Sequence, residues 1–145
     1  MRFWDASAIV PLLVDEPATD EARSEWLRDL EQTVWWGTEI ECVSALARLE
    51  RDGALSSSGA EESLGRLDAL SLAWVEVEPV SRVREIAIRV LRTHQLRAAD
   101  ALQLAAAIVA AEERPTSQRF VTLDMRLADA AAREGFAVDL PSGGS

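Results

Sequence analysis

Short apolar runs alternate with longer stretches in which apolar residues recur every three or four positions, the pattern of an α/β chain with a mostly parallel sheet. Arg2-Phe3-Trp4 reads as a short buried strand ending at Asp5, followed by a helical stretch through Ile9, Leu12 and Leu13 that stops near Pro17. A second helix opens with Asp20 and Glu21 in its first turn and sets Ala22, Trp26 and Leu30 along one face. Thr33 to Gly37 is a second strand, and the helix after it places Cys42, Ala45, Leu46 and Leu49 at i, i+3, i+4 and i+7 until Asp52-Gly53 ends it. Ser58 with Glu61 has the form of a capping box for a fourth helix whose buried face includes Leu64 and Leu67. Trp74 to Val80 alternates as a third strand that stops at or near Pro79.

From Arg82 onward, Val83, Ile86, Ala87, Val90 and Leu91 form a helical stripe with Arg82, Arg89 and Arg92 on the other side. Ala98 to Ala111 is almost continuously apolar, which predicts a helix buried around most of its circumference and too short to span a membrane. Arg119 to Leu123 is a strand ending at Asp124, the helix from Met125 stops at Gly135, and Phe136 to Leu140 is the last strand. One domain over residues 1–140 follows, with Pro141 to Ser145 as a flexible tail.

Composition narrows the chemistry. The start lacks a charged leader running into an apolar segment, so a cytoplasmic protein without membrane attachment is expected. One Cys, Cys42, and one His, His94, cannot build a thiolate or imidazole zinc site, so a bound metal must be held by oxygen. The 145-residue chain has no Lys, which excludes a Walker A loop and a Ser-x-x-Lys nucleophile. A net charge of -10 argues against broad electrostatic capture of nucleic acid, leaving that task to a local Arg-rich face and a metal.

In open parallel sheets the functional crevice lies beyond the carboxyl ends of the strands. Asp5 follows the first strand, Glu41 the second and Asp124 the fourth, while Asp100 is the only charged group over more than two turns of an apolar helix. Each carboxylate singly has an ordinary explanation as a helix cap or as a partner of the helix dipole. Four aimed at one crevice would repel one another, a penalty that a bound divalent cation removes, and an all-oxygen set suits Mg²⁺ or Mn²⁺.

Asp5-Ala-Ser7-Ala-Ile-Val, Glu41-Cys-Val-Ser-Ala45-Leu46-Ala-Arg48, Leu96-Arg-Ala-Ala-Asp100-Ala-Leu-Gln-Leu-Ala and Phe120-Val-Thr122-Leu-Asp124-Met-Arg-Leu127 resemble, in order, the motifs of PIN-domain ribonucleases. The likeness is greatest to the toxin halves of VapBC toxin–antitoxin pairs. Trp4, the pair Trp35-Trp36, and Gln103 in place of a frequent His depart from the family pattern but leave the acids intact. The resemblance implies a three-layer α/β/α domain around a mostly parallel sheet of about four to five strands. It also implies hydrolysis of RNA phosphodiesters by metal-activated water, with Asp5 and Asp100 as direct ligands of one or two Mg²⁺ (or Mn²⁺) ions and Glu41 and Asp124 joining directly or through water. A homodimer silenced by a cognate antitoxin over its apolar helices is the implied assembly, and exposure of Leu12, Trp26 or Leu30 would support that partner groove.

Around the acids, Ser7 and Thr122 are candidates to hydrogen-bond ligand carboxylates, with local turn bonding as the alternative. Arg48 and Arg97 are candidates to hold RNA phosphates, with solvated surface charge as the alternative. Gln103, one turn from Asp100, either faces the site or packs, His94 reads as a packed or capping residue, and the five Trp are assigned mainly to core or interface. Two other classes stay open: a catalytically weak PIN module that binds RNA or a partner, and a PIN-like DNA nuclease, which the small size of the chain disfavours.

Overall fold

In the computed structural model, which describes residues 1–142, the apolar strand residues sort by parity. Phe3, Trp35 and Phe120 face one side of the sheet, and their neighbours Trp4, Val34 and Val121 face the other. Strands apolar on both faces must be covered on both, and the helices divide accordingly.

Strands β1 (Arg2–Trp4), β2 (Gln32–Trp35), β3 (Val75–Val77), β4 (Arg119–Val121) and β5 (Ala137–Asp139) pair entirely in parallel in the order β3-β2-β1-β4-β5. On one face lie α1 (Ala6–Leu13), α2 (Thr19–Arg28), α3 (Thr38–Arg51) and α4 (Ser57–Ser71), which bring Ile9, Leu13, Trp26, Cys42, Leu46 and Leu67 against Trp4 and Val121. The opposite face carries α5 (Ser81–Thr93), α6 (Ala98–Ala110) and α7 (Met125–Glu134), whose Val83, Ile86, Val90, Leu104, Ile108 and Leu127 surround Phe3 and Phe120. The fold is therefore the expected three-layer α/β/α domain, with five strands. Among the described residues no helix is long and apolar enough to cross a membrane.

Several local expectations shift. Helix α2 ends at Arg28, and Leu30 lies beyond it, 99% exposed rather than aligned with Ala22 and Trp26. The buried carboxylate of Asp29 accepts from Arg2 N at 3.2 Å and Trp4 Nε1 at 3.0 Å, which draws the chain out of the helix toward β1. Helix α4 is capped not by Ser58 but by Ser56, whose Oγ accepts from Gly59 N at 3.0 Å. Its buried face is Ala60, Ser63 and Leu67, because Ser63 donates to Leu13 O at 2.9 Å, and Leu64 is thereby rotated outward.

Every strand after the first is shorter than predicted. Trp36-Gly37 and Leu123 already belong to the turns that lead into α3 and α7, and Trp74 and Phe136 precede their strands. At the end of the described chain, Pro141 is buried and Ser142 donates to Glu21 Oε2 through N (2.7 Å) and Oγ (2.6 Å), while the remainder of the expected tail, 143–145, lies outside the described residues. Gly135 ends α7 with φ 109°, in the left-handed region. Gly135→Ala should therefore lower stability by about 1–2 kcal/mol, read as a lower midpoint in urea with unchanged slope and unchanged chemistry at the crevice.

Candidate active site

Because the chain builds outward from β1 to β3 and then crosses to β4, strand order reverses between β1 and β4, the place where open parallel sheets leave a crevice at their carboxyl ends. Asp5 follows β1 immediately, and Asp124 lies three residues past β4. Glu41 projects from the first turns of α3 and Asp100 from the first turn of α6. Glu41, Asp100 and Asp124 line one crevice of about 600 Å³, with Asp5 buried behind it.

Asp5 does not spend its side chain on α1: although it occupies the N-cap position, it caps no helical N–H. Instead Oδ2 accepts from Ser7 Oγ at 2.5 Å and from Thr122 Oγ1 at 2.8 Å. The two hydroxyls are themselves fixed, since Ser7 Oγ accepts from Leu123 N at 2.8 Å and Thr122 Oγ1 from Asp124 N at 3.0 Å. Both residues thus orient a carboxylate, and the two loops that carry acids are tied together. Asp124 divides its functions: Oδ1 caps α7 by accepting from Arg126 N (2.9 Å) and Leu127 N (3.1 Å). Among the described residues no such bond occupies its other oxygen.

Gln103 faces the site. Its side chain is fully buried and donates through Nε2 to Glu41 Oε2 at 2.7 Å and to Thr38 Oγ1 at 3.0 Å, so a neutral amide holds Glu41 in place. Its own Oε1 is buried without a partner.

The electrostatics are those of acids crowded without compensation. Burial above all, with repulsion from Asp100 and Asp124, pushes the Asp5 carboxyl up to about 6 against the opposing bonds from Ser7 and Thr122. Burial, then repulsion from Asp5 and Asp100, raises Glu41 to about 7 although Gln103 opposes the shift. Asp100 is raised by burial and by Asp124, against the pull of Arg97 and Arg126. Asp5 and Glu41 thus have no arginine offsetting them, so they hold their protons toward neutral pH unless a cation from outside the chain favours the ionised forms.

An all-carboxylate donor set fits a hard divalent cation. Among the described residues no three acids, histidines or cysteines lie close enough together to hold a metal ion by themselves. A divalent ion there would be held through one or two carboxylates, with water or a substrate phosphate as its remaining ligands.

Arg48 and Arg97 both line the crevice mouth, exposed and without a carboxylate partner within ion-pair distance among the described residues. A third arginine, Arg126, stands with them and was not singled out from the sequence. Its placement two residues after Asp124, at the start of α7, was the available signal. His94 is the packed cap of α5, with Nε2 2.7 Å from Glu134 Oε2 and outside the acid set. Four of the five Trp are buried, and only Trp36 is substantially exposed.

A family model described as the PIN domain matches residues 2–133 of the chain. Among solved structures, the crystal structure of FitAcB from Neisseria gonorrhoeae aligns with a TM-score of 0.65 at 19% identity, covering 97% of this chain and 98% of that one. PAE2754 from Pyrobaculum aerophilum aligns at 0.60 and 21% identity, covering 95% of this chain and 82% of its own. No curated protein matches.

Proposed function

The chain belongs to the PIN-domain family, and from that premise we propose that it is a divalent-metal-dependent endoribonuclease acting as the toxin of a toxin–antitoxin pair. PIN domains are generally nucleases. The observation that carries the reading is the placement of Asp5, Glu41, Asp100 and Asp124 around one crevice at the reversal point of the sheet, where burial and mutual repulsion raise Asp5, Glu41 and Asp100 and no arginine offsets Asp5 or Glu41.

Asp5 and Asp100 are the residues to hold Mg²⁺ or Mn²⁺, with Glu41 and Asp124 joining directly or through water. Such an ion supplies the charge that lets the acids ionise together, activates water and offsets charge on the phosphate. The protein does the rest. Ser7 and Thr122 fix the Asp5 carboxylate, and Gln103 fixes one oxygen of Glu41, leaving the other without a hydrogen-bond partner among the described residues and able to accept a proton. Arg48 and Arg97 bind the phosphates on either side of the cut, a role suited to guanidinium forks. Supporting a partner surface, Leu27 in the last turn of α2 and Leu30 just beyond it are 76% and 99% exposed, whereas Trp26 is buried and Leu12 half-buried. A cognate antitoxin there and a homodimeric assembly complete the proposal.

Incubating the purified chain with single-stranded RNA and DNA of one sequence in Mg²⁺ tests the substrate class: RNA should be cut and DNA spared, and the reverse preference would replace the ribonuclease with a DNA nuclease. Thr122→Val should lower RNA cleavage roughly 10–100-fold. Because the lost bond lowers the Asp5 pKa, the acidic limb of the pH–rate profile should move to higher pH.

A further inference from the structure

We propose that the hollow between the end of α5 and the outer side of α7 seats the nucleotide next to the phosphodiester that is cut. The inference rests on the nuclease reading for the identity of its ligand. The hollow holds about 250 Å³, room for one base with its sugar, and it opens into the acid crevice across two residues common to both, Gln95 and Arg126.

Its chemistry fits a nucleotide. Arg126 stands at the junction, close enough for its charge to act on Asp100, and has no carboxylate within ion-pair distance among the described residues. A phosphate there is reached from both hollows. On the far wall Arg133 has its Nε 3.0 Å from Asp129 Oδ2, and no hydrogen bond among the described residues engages its two terminal amino groups, which leaves them for a second phosphate. Gln95 is exposed, and no hydrogen bond among the described residues engages its amide, which offers a base edge one donor group and one acceptor.

The back of the hollow is held rigid. His94 Nε2 lies 2.7 Å from Glu134 Oε2, and Glu134 is in turn clamped by Arg89 at 2.9 Å. The hollow on the opposite side of the acids, about 310 Å³ and sharing Glu41 and Arg48 with the crevice, is lined by small residues and has Arg48 as its only cation. A strand crossing the acids therefore meets a second cationic step only on the α7 side.

The test is binding of labelled single-stranded RNA to the full chain made cleavage-incompetent by Asp100→Asn, with R126A, R133A or the remote R28A added. Among the described residues Arg133 pairs only with exposed Asp129, so R133A should leave folding essentially unchanged. For a ten-nucleotide RNA, R126A and R133A should each weaken binding about tenfold and flatten the salt dependence by about 0.7, as expected for one lost phosphate contact on a single strand. R28A, which removes the same charge elsewhere, should leave affinity within about twofold. For a dinucleotide, which lacks the second phosphate, R133A should have no effect.

R133A indistinguishable from R28A on the longer RNA, or equally damaging on the dinucleotide, would overturn the assignment. If the unsubstituted chain cleaves RNA and R133A binds normally, the subsite fails alone. If the chain cleaves nothing yet shows the R133A pattern, the nuclease reading fails and the nucleotide seat stands.

Discussion

Replacing Asp5 by Asn is expected to abolish RNA cleavage, by a thousandfold or more, while making the metal-free protein more stable. The two effects have one cause. Asp5 is buried and has no cationic neighbour, so its carboxyl is pushed up to about 6 from 3.8. Keeping it ionised above that pH opposes folding by about 3 kcal/mol. Asn retains a carbonyl to accept from Ser7 and Thr122 and removes the charge. Several kcal/mol of charge stabilisation during the reaction disappear with it, and each 1.4 kcal/mol is about tenfold in rate. Thermal unfolding in a chelator and RNA cleavage in Mg²⁺ should thus move in opposite directions. A variant both less active and less stable would mean that Asp5 serves the fold.

The second large effect is a coupling of stability, pH and metal. Burial pushes the carboxyls of Asp5 and Glu41 up to about 6 and about 7 in the folded chain, from ordinary values of 3.8 and 4.5. Below about pH 3 both are protonated folded or unfolded and contribute nothing. Between about pH 3 and 7 the unfolded chain releases protons that the fold retains, so this contribution to stability falls as pH rises and is fully adverse above pH 7. Glu134 and Asp139, held low by their arginine partners despite burial, act with the opposite sign and lose their support as pH falls through the acid range. The metal-free protein should therefore be most stable near pH 5. Adding Mn²⁺ or Mg²⁺ should do little there and, by relieving Asp5, raise the unfolding temperature by up to about 10 °C at pH 8. Glu16 and Glu25 are also raised by burial, but they lie away from the crevice and keep their share of the pH dependence when metal is added. A metal shift independent of pH would separate ion binding from the acids.

What was legible in the sequence follows from how locally each feature is determined. Phe3 and Trp4, or Phe120 and Val121, point to opposite faces by the two-residue period of a strand, so a sheet covered on both sides could be read without coordinates. Strand-to-helix junctions carry Asp5 and Asp124, and parallel topology brings such junctions to one edge, so the placement of these two acids was legible as well. Leu30 was misplaced because a distant partner decides the helix end: Asp29 bonds to β1, which no local period reveals. Three consecutive serines, Ser56 to Ser58, compete for one cap, and hydroxyl chemistry alone does not rank them. Gln103 and Arg126 depend on how α6 and α7 are rotated about their axes in the packed structure. The side chain that grips Glu41 and the arginine that joins two hollows therefore emerged only with the tertiary fold.

Cleavage of a defined single-stranded RNA by the unsubstituted chain and by Asp100→Asn, first with Mg²⁺ and then with the ion chelated, decides whether the crevice is a nuclease centre. Cutting by the unsubstituted chain in Mg²⁺, its loss on chelation, its return when metal is restored, and no cutting by Asp100→Asn at any metal concentration are the predicted results. Cleavage that persists in chelator, or that Asp100→Asn leaves intact, would contradict the assignment of chemistry to Asp5, Glu41, Asp100 and Asp124.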